Sequence, residues 1–308
     1  MKNIDVLCCG HAAYDLIYSL PSFPEENRKY RIEQMQVSGG GPAANAATLL
    51  ANWRVNTAFA GVVGADPFGD MILNELTMHG VDIALLEQRE AYPTPVSCIL
   101  ANEQSGSRTI LNRRQAGAAC SLSNEFDWEP KVLLFDGHEL ESSLALMACF
   151  PGAQTILDAG SLHEGSRVLA EKVDFLVSSA DFGRQLSGLP ALTTREQRAT
   201  AMHALGELNS GCCVITLGEF GLIYMLDGNI IELPALAVKA IDTTAAGDIF
   251  HGAFAYGILD GWSLRETLEL AICAAGLSVQ RPGGRSSIPA LAEVQTMLPS
   301  YRAALHAD

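Results

Sequence analysis

The segment of this 308-residue chain with the most chemical content is Lys239–Tyr256, KAIDTTAAGDIFHGAFAY. A strand-like KAI runs into Asp242-Thr243-Thr244, then Ala245-Ala246-Gly247-Asp248, then an apolar stretch with helical spacing. Small residues let a backbone turn tightly and let a substrate approach it. A helix starting there aims unpaired N–H groups and the positive end of its dipole back at the turn. That arrangement suits phosphate, and more so the extra negative charge of a phosphoryl-transfer transition state. Asp248 falls at the helix start, where a carboxylate can accept a proton from a hydroxyl in line with a terminal phosphate. Asp is also a common helix-capping residue, and spacing alone does not separate the two roles.

The elements that would position this turn alternate along the chain. Ile4–Cys9 reads as a short strand stopping at Gly10, and Gly39-Gly40-Gly41-Pro42 as a turn opening a helix with Pro at its first position. Asn56–Val63 is the next strand, and Asp66-Pro67 opens a helix over Phe68–His79 that stops at Gly80. Further apolar strands are expected at Val132–Phe135, Thr155–Leu157, Phe175–Val177, Cys213–Leu217 and Leu222–Leu226, with helical stretches such as Arg195–Leu208 between them. This rhythm predicts an α/β fold with a mainly parallel sheet covered on both faces. Asp15–Gln36, including KYRIEQMQV, and Thr94–Arg114 break it with polar or alternating strands and no helix between. Such strands suit a small β lid over the sheet. No linker, charge run or internal repeat divides the chain.

At 48% hydrophobic and 18% charged residues, the chain can bury a sizeable core. A net charge of −15 argues against nucleic acid and anionic membrane surfaces as partners. No apolar run approaches a membrane span and the N-terminus lacks the features of a signal peptide, so a soluble, cytoplasmic protein is expected. The eight cysteines form no C-x-x-C pair and most sit in apolar stretches, which reads as reduced, buried thiols.

DTTAAGDIF closely resembles the C-terminal signature of the ribokinase-like (PfkB) carbohydrate kinases, usually D-T-x-G-A-G-D. GGGPAANAATLLANW followed by GVVGADPFGD resembles the family's N-terminal signature, and the order of motifs matches over essentially the whole chain. The resemblance implies a three-layer α/β/α kinase domain over residues 1–308 with a lid from about 11–37 and 94–115. It implies ATP as phosphoryl donor, Mg²⁺ as helper, and an alcohol of a sugar-like small molecule as acceptor. Asp248 then matches the catalytic base, and the amides of Ala245, Ala246 and Gly247 match an anion hole. Ala245 departs from the usual Gly; if the position needs a positive φ, Ala costs about 1 kcal/mol.

Asp15, in GHAAYD, matches the family's sugar-hydroxyl-binding Asp, and Gly40, Gly41 and Asn45 match its sugar-binding turn and helix start. A carboxylate and an amide together accept from and donate to vicinal hydroxyls. Without the resemblance, Asp15 reads as a solvated loop residue and Asn45 as an ordinary first-turn residue. Thr216, Gly218 and Gly221, in VITLGEFGLIY, resemble the strand and turn beside ATP. AICAAGLSVQRPGGRSSIP, with Gly276 and Gly283, resembles the adenine-side helix and loop. In relatives this loop and the main motif can surround a monovalent cation, which makes Asp242 and Thr244 candidates for K⁺.

The family's N-x-x-E motif, which organises Mg²⁺, is altered: Ser179 stands for the Asn and Phe182 for the Glu, with Asp181 nearby. On the lid, Arg108, Asn112, Arg113 and Arg114 form either a solvated strand face or a substrate contact in which one Arg neutralises phosphate or an anionic acceptor. Asn112 and Arg113 are the lid candidates for substrate binding. Consecutive strand side chains point to opposite faces, so Arg113 and Arg114 should not both enter a pocket. RPGGRSSIP and GGGPAA resemble the branch with sulfofructose kinases and ketohexokinase-like proteins, and His138 could face the sugar. The alternatives are a nucleoside kinase of the same family and a non-catalytic sugar sensor. By analogy with the family, a homodimer pairing through the lid strands is expected.

Overall fold

The computed structural model describes residues 3–33, 35–102, 104, 108–113, 119–122 and 126–305. The first half contains β1 (Val6–Cys9), β2 (Ala13–Leu20), β3 (Met35–Gly40), α1 (Pro42–Asn52), β4 (Thr57–Gly64), α2 (Pro67–Met78), β5 (Asp82–Arg89), β6 (Val96–Asn102) and β7 (Arg108–Arg113). The second contains β8 (Val132–Phe135), α3 (Leu140–Cys149), β9 (Gln154–Ala159), α4 (Glu164–Ala170), β10 (Phe175–Ser179), α5 (Ala180–Ser187), α6 (Arg195–Leu208) and β11 (Cys212–Thr216). It closes with β12 (Leu222–Leu226), β13 (Asn229–Leu233), α7 (Ala246–Leu259), α8 (Leu264–Ser278) and α9 (Leu291–Leu305).

Nine strands form one sheet in the order β13-β12-β11-β10-β9-β8-β1-β4-β5, with only β12 and β13 antiparallel to their neighbours. Its strands are apolar on both sides because both faces are covered. Val6 and Cys8 of β1, Val132 and Leu134 of β8, and Val177 of β10 pack with α1, α2, α7, α8 and α9. The alternate residues Leu7, Cys9, Leu133, Phe135 and Leu176 pack with α3, α4, α5 and α6. A one-residue slip of any strand would exchange the two sets, so the register is strongly specified.

Strands added after β1 go first to one side, β4 and β5, and then to the other, β8 to β11. The order therefore reverses at β1, and the crevice beyond the carboxyl ends of β1 and β8 is a topological switch point, where open α/β sheets bind ligands. Asp136, just past β8, joins the two sides. Its carboxylate accepts from the N–H groups of His11 at 2.8 Å and Ala43 at 3.2 Å through one oxygen, and from His138 N–H at 3.0 Å through the other.

A separate four-stranded sheet, β3-β2-β6-β7, pairs β2 with β6 in parallel and its other neighbours antiparallel. Ser38, Asp15, Ser97 and Asn112 are successive partners across it and so share one face. The strand expected to begin near Lys29 begins instead at Met35: residues 29–33 are exposed and make no ladder, the charged Lys29, Arg31 and Glu33 having no apolar face to cover. Among the described residues, no helix is long and apolar enough to cross a membrane.

Candidate active site

Ala245 adopts the left-handed conformation, φ 58° and ψ 10°, as the residue preceding α7. No side chain caps this helix. Ala246 N–H makes only a long 3.3 Å bond to Thr243 O, and Gly247 is exposed. The turn is held from below by Asp242, whose two carboxylate oxygens accept from Thr244 N–H and Gly283 N–H, each at 2.8 Å. The loop that follows α8 is thereby tied to the start of α7. Asp242 and Thr244, the candidates for K⁺, both take part in this clamp, Thr244 through its backbone N–H.

Asp248 lies in the first turn of α7, half-buried, and Oδ2 accepts from Asn45 Nδ2 at 2.6 Å. Asn45 is buried in α1 and its Oδ1 accepts from Arg285 Nε at 2.9 Å. The two signature motifs, 203 residues apart, thus meet in one hydrogen bond. Gly41, before α1, needs its φ of 98°, and Gly40 leaves room for Asp15: a Cβ there would lie 2.2 Å from the Asp15 carboxylate. Burial pushes the Asp15 carboxyl above the usual carboxylate range; Asp248 and Glu75 add to this, while a hydrogen bond with Ser97 and the charge of Arg285 oppose it.

Beneath α7 is a buried acid–imidazole pair. His251 Nδ1 lies 2.6 Å from Gly247 O and 3.1 Å from Asp158 Oδ2, and Nε2 lies 3.1 Å from Val177 O. Burial raises the Asp158 carboxyl to about 7, with Asp248 and Asp136 pushing the same way and His251 opposing them.

The remaining expected residues separate into groups. Thr216 ends β11 and donates to Ser178 O at 3.2 Å. Gly218 and Gly221 bound a short 3₁₀ turn after that strand, and Gly221 packs on the Leu233 backbone. Gly276 of α8 sits against Leu236, and Gly283 stands in the clamped loop. Asn112 shares the face of Asp15, but Arg113 does not. Arg113 falls in the alternate row with Val96 and Tyr14 and donates to Thr94 O at 2.9 Å. The reason is the strand's own alternation, which sends neighbours to opposite faces. Arg114 lies outside the described residues.

Ser179 caps α5, accepting from Phe182 N–H and donating to Gly160 O, and Phe182 is wholly buried in the core. Asp181 pairs with Arg184. Among the described residues, no cluster of three or more His, Cys, Asp or Glu could hold a metal. These side chains therefore do not fit a protein-held Mg²⁺ site of the N-x-x-E kind. His138 stacks on His163, with centroids 5.0 Å apart, and meets His11 edge-on at 5.3 Å.

Sequence reasoning missed Arg285, Glu75, Asp136, Asp158 and His251. Each lies where a strand, helix or loop carries it inward, and none belongs to a local pattern that marks it. Arg285 was hidden among the glycines of RPGGR.

Residues 3–291 match the pfkB family of carbohydrate kinases. The chain belongs to that family and is a sugar kinase, a phosphotransferase that uses ATP. It is 26% identical to a ribokinase of Lactococcus lactis, with 97% of each chain covered. It is also 26% identical to a deoxyribokinase of Salmonella typhi, covering 96% of this chain and 99% of the relative. The fold superimposes on Arabidopsis thaliana ribokinase complexed with ribose and ATP with a TM-score of 0.79 at 24% identity, covering 96% and 98% of the two chains.

Proposed function

We propose that this kinase transfers the terminal phosphoryl group of ATP to a hydroxyl of a small sugar, with Asp248 as the general base. The hydrogen bond between Asn45 and Asp248 carries this reading, because it joins the glycine turn to the uncapped start of α7. A hydroxyl beside Asp248 loses its proton to the carboxylate as its oxygen attacks phosphorus. The amides of Ala245, Ala246 and Gly247, with the dipole of α7, face the charge that develops on the phosphoryl oxygens. Asp15, Gly40, Gly41 and Asn45 hold the sugar, and Asn112 reaches it from the same sheet face as Asp15. Thr216, Gly218, Gly221, Gly276 and Gly283 form the nucleotide side.

The ribokinase and deoxyribokinase relatives make pentoses the first acceptors to test. Magnesium arrives with the nucleotide, since Mg²⁺ is commonly held by phosphates and water with few protein ligands. The four-stranded sheet serves as the lid over the acceptor. Met35 and Val37 of β3 and Leu111 of β7 are exposed on the face opposite Asp15, an apolar surface suited to a second copy of the chain. A K⁺ ion at the clamped turn would have to add to the two bonds Asp242 already accepts.

The test is ADP release with MgATP, with and without K⁺, across pentoses, hexoses, sugar acids and nucleosides, for wild type and Asp248→Asn. Turnover on a sugar, lost in the variant, supports the reading. Full turnover by a folded variant overturns the base assignment, and turnover on nucleosides alone overturns the acceptor class.

A further inference from the structure

We propose that Arg285 is the positioning residue for Asp248: through Asn45 it fixes the orientation of that carboxylate, and its charge sets the pH at which the carboxylate can act. This rests on Asp248 being the base.

The first argument is the direction of the hydrogen bonds. A guanidinium only donates, so the Asn45 atom facing Arg285 Nε at 2.9 Å must be the amide oxygen. The amide nitrogen is then forced towards Asp248, where it donates at 2.6 Å. Without Arg285, nothing in this chain of bonds keeps the amide nitrogen facing Asp248 once that carboxyl is protonated and can donate to the amide oxygen, so Arg285 holds Asn45 in the orientation that favours the ionised form.

The second argument is charge. Arg285 is 4% exposed and stands on a short 3₁₀ turn, Arg285–Ser287, in the loop clamped by Asp242. Nη2 donates to Gly40 O at 3.4 Å, and Nη1 lies 3.3 Å from Glu75 Oε1. The other oxygen of Glu75 accepts from Gly39 N–H at 2.7 Å. Nη1 is buried without a well-aligned hydrogen bond, so Arg285 is not explained as a fork saturating one carboxylate. Its field acts on three acids: Glu75 of α2, Asp15 of β2 and Asp248 of α7. Other acids that act on Asp248 are Asp15 of β2 and Asp158 of β9, and His251 of α7 and Asp136, just past β8, act in turn on Asp158. Asp15 and Asp158 disfavour a charged Asp248, and the charge of Arg285 offsets them. Removing it should raise the pH needed to ionise Asp248.

The experiment titrates Asp248 directly, by carbon NMR of protein labelled at the aspartate carboxyl carbons, the Asp248→Asn spectrum identifying the resonance. Arg285→Met is expected to raise the midpoint by about one pH unit, the usual scale for loss of a nearby opposite charge. Arg285→Lys keeps the charge and should move it by less than half as much. With the acceptor found in the ADP assay, the acid limb of kcat for Arg285→Met should move up by about one pH unit in step, so that kcat on that limb falls about tenfold at a fixed pH, while KM for ATP stays within about twofold. A folded Arg285→Met with an unmoved Asp248 midpoint overturns the proposal. If Arg285→Met does not fold, Glu75→Gln decides: a lower Asp248 midpoint supports it and an unmoved one overturns it. Activity retained by Asp248→Asn would instead sink the base assignment, a separate result from the titration.

Discussion

The helices of this kinase begin in two ways. Those starting with α2, α4, α5, α6 and α8 are closed by side chains, Asp66, His163, Ser179, Thr194 and Ser263, that accept from first-turn amides. The helices α1, α3 and α7 have no side-chain cap. Of these, α1 gives one amide to Asp136, whereas α7 starts on a left-handed alanine with an exposed glycine beside it. A cap stabilises a helix by satisfying the same groups an anion would use. On the proposed mechanism, the uncapped helix gives up local stability where its donors face the transferred phosphoryl group.

This contrast can be broken at several points. Asp248→Asn, which leaves α7 intact but removes the proposed proton acceptor, should lower kcat by about 10²–10⁴-fold, read as ADP release at saturating ATP. Supplying α7 with a cap by Ala245→Asp puts a carboxylate where phosphate charge develops. Its kcat should fall by about 10²-fold, with a Tm no lower than that of wild type.

The pair beneath α7 gives a pH signature. Burial raises the Asp158 carboxyl to about 7, so folding favours its protonated form. The stability this contributes is complete below the ordinary carboxylate range and is lost as pH rises through about 7. Between pH 4 and 7 the Tm of wild type should therefore fall relative to Asp158→Asn by several degrees on a thermal-melt series. At the opposite kind of helix start, Ser263→Ala should cost about 1 kcal/mol of stability and leave kcat unchanged. The smallest effect is expected for Ala245→Gly, which relieves left-handed strain worth at most about 1 kcal/mol. A loss of Tm there would mean that the alanine methyl packs usefully.

How far the sequence could be read follows the same division. Strands such as Val132–Phe135, Phe175–Val177 (which the structure extends to Ser179) and Leu222–Leu226 were legible because their apolar runs are local and bounded by turns. Arg195–Leu208 was legible as a helical stretch, and the structure adds the capping box of Thr194 and Gln197 that starts it. Asp248 and Asn45 were legible only as members of motifs; the bond between them depends on packing α1 against α7, where Gly252 lets the helices approach at Ala46. Arg285 and Asp158 carried no local signal. A buried arginine and a buried aspartate look like surface residues until a fold encloses them. Alternation showed that Asn112 and Arg113 face opposite ways, but which of them shares the face of Asp15 depends on the pairing of β7 with β6 and could not be read from β7 itself.

The bond between Asn45 and Asp248 also orders events during synthesis. Asn45 leaves the ribosome early, among the elements around β1, whereas Asp248, the clamp at Gly283 and Arg285 follow after the whole nine-stranded sheet has been made. Domains tend to fold as units while the chain emerges, so a nascent chain can hold its glycine turn in place for more than 200 residues without the acid that turn will serve. On the proposed mechanism, phosphoryl transfer becomes available only when α7, α8 and α9 dock beside α1 and α2. Chains that stop before Asp248 are therefore expected to release no ADP, and appearance of activity during translation would clock the closing of the fold.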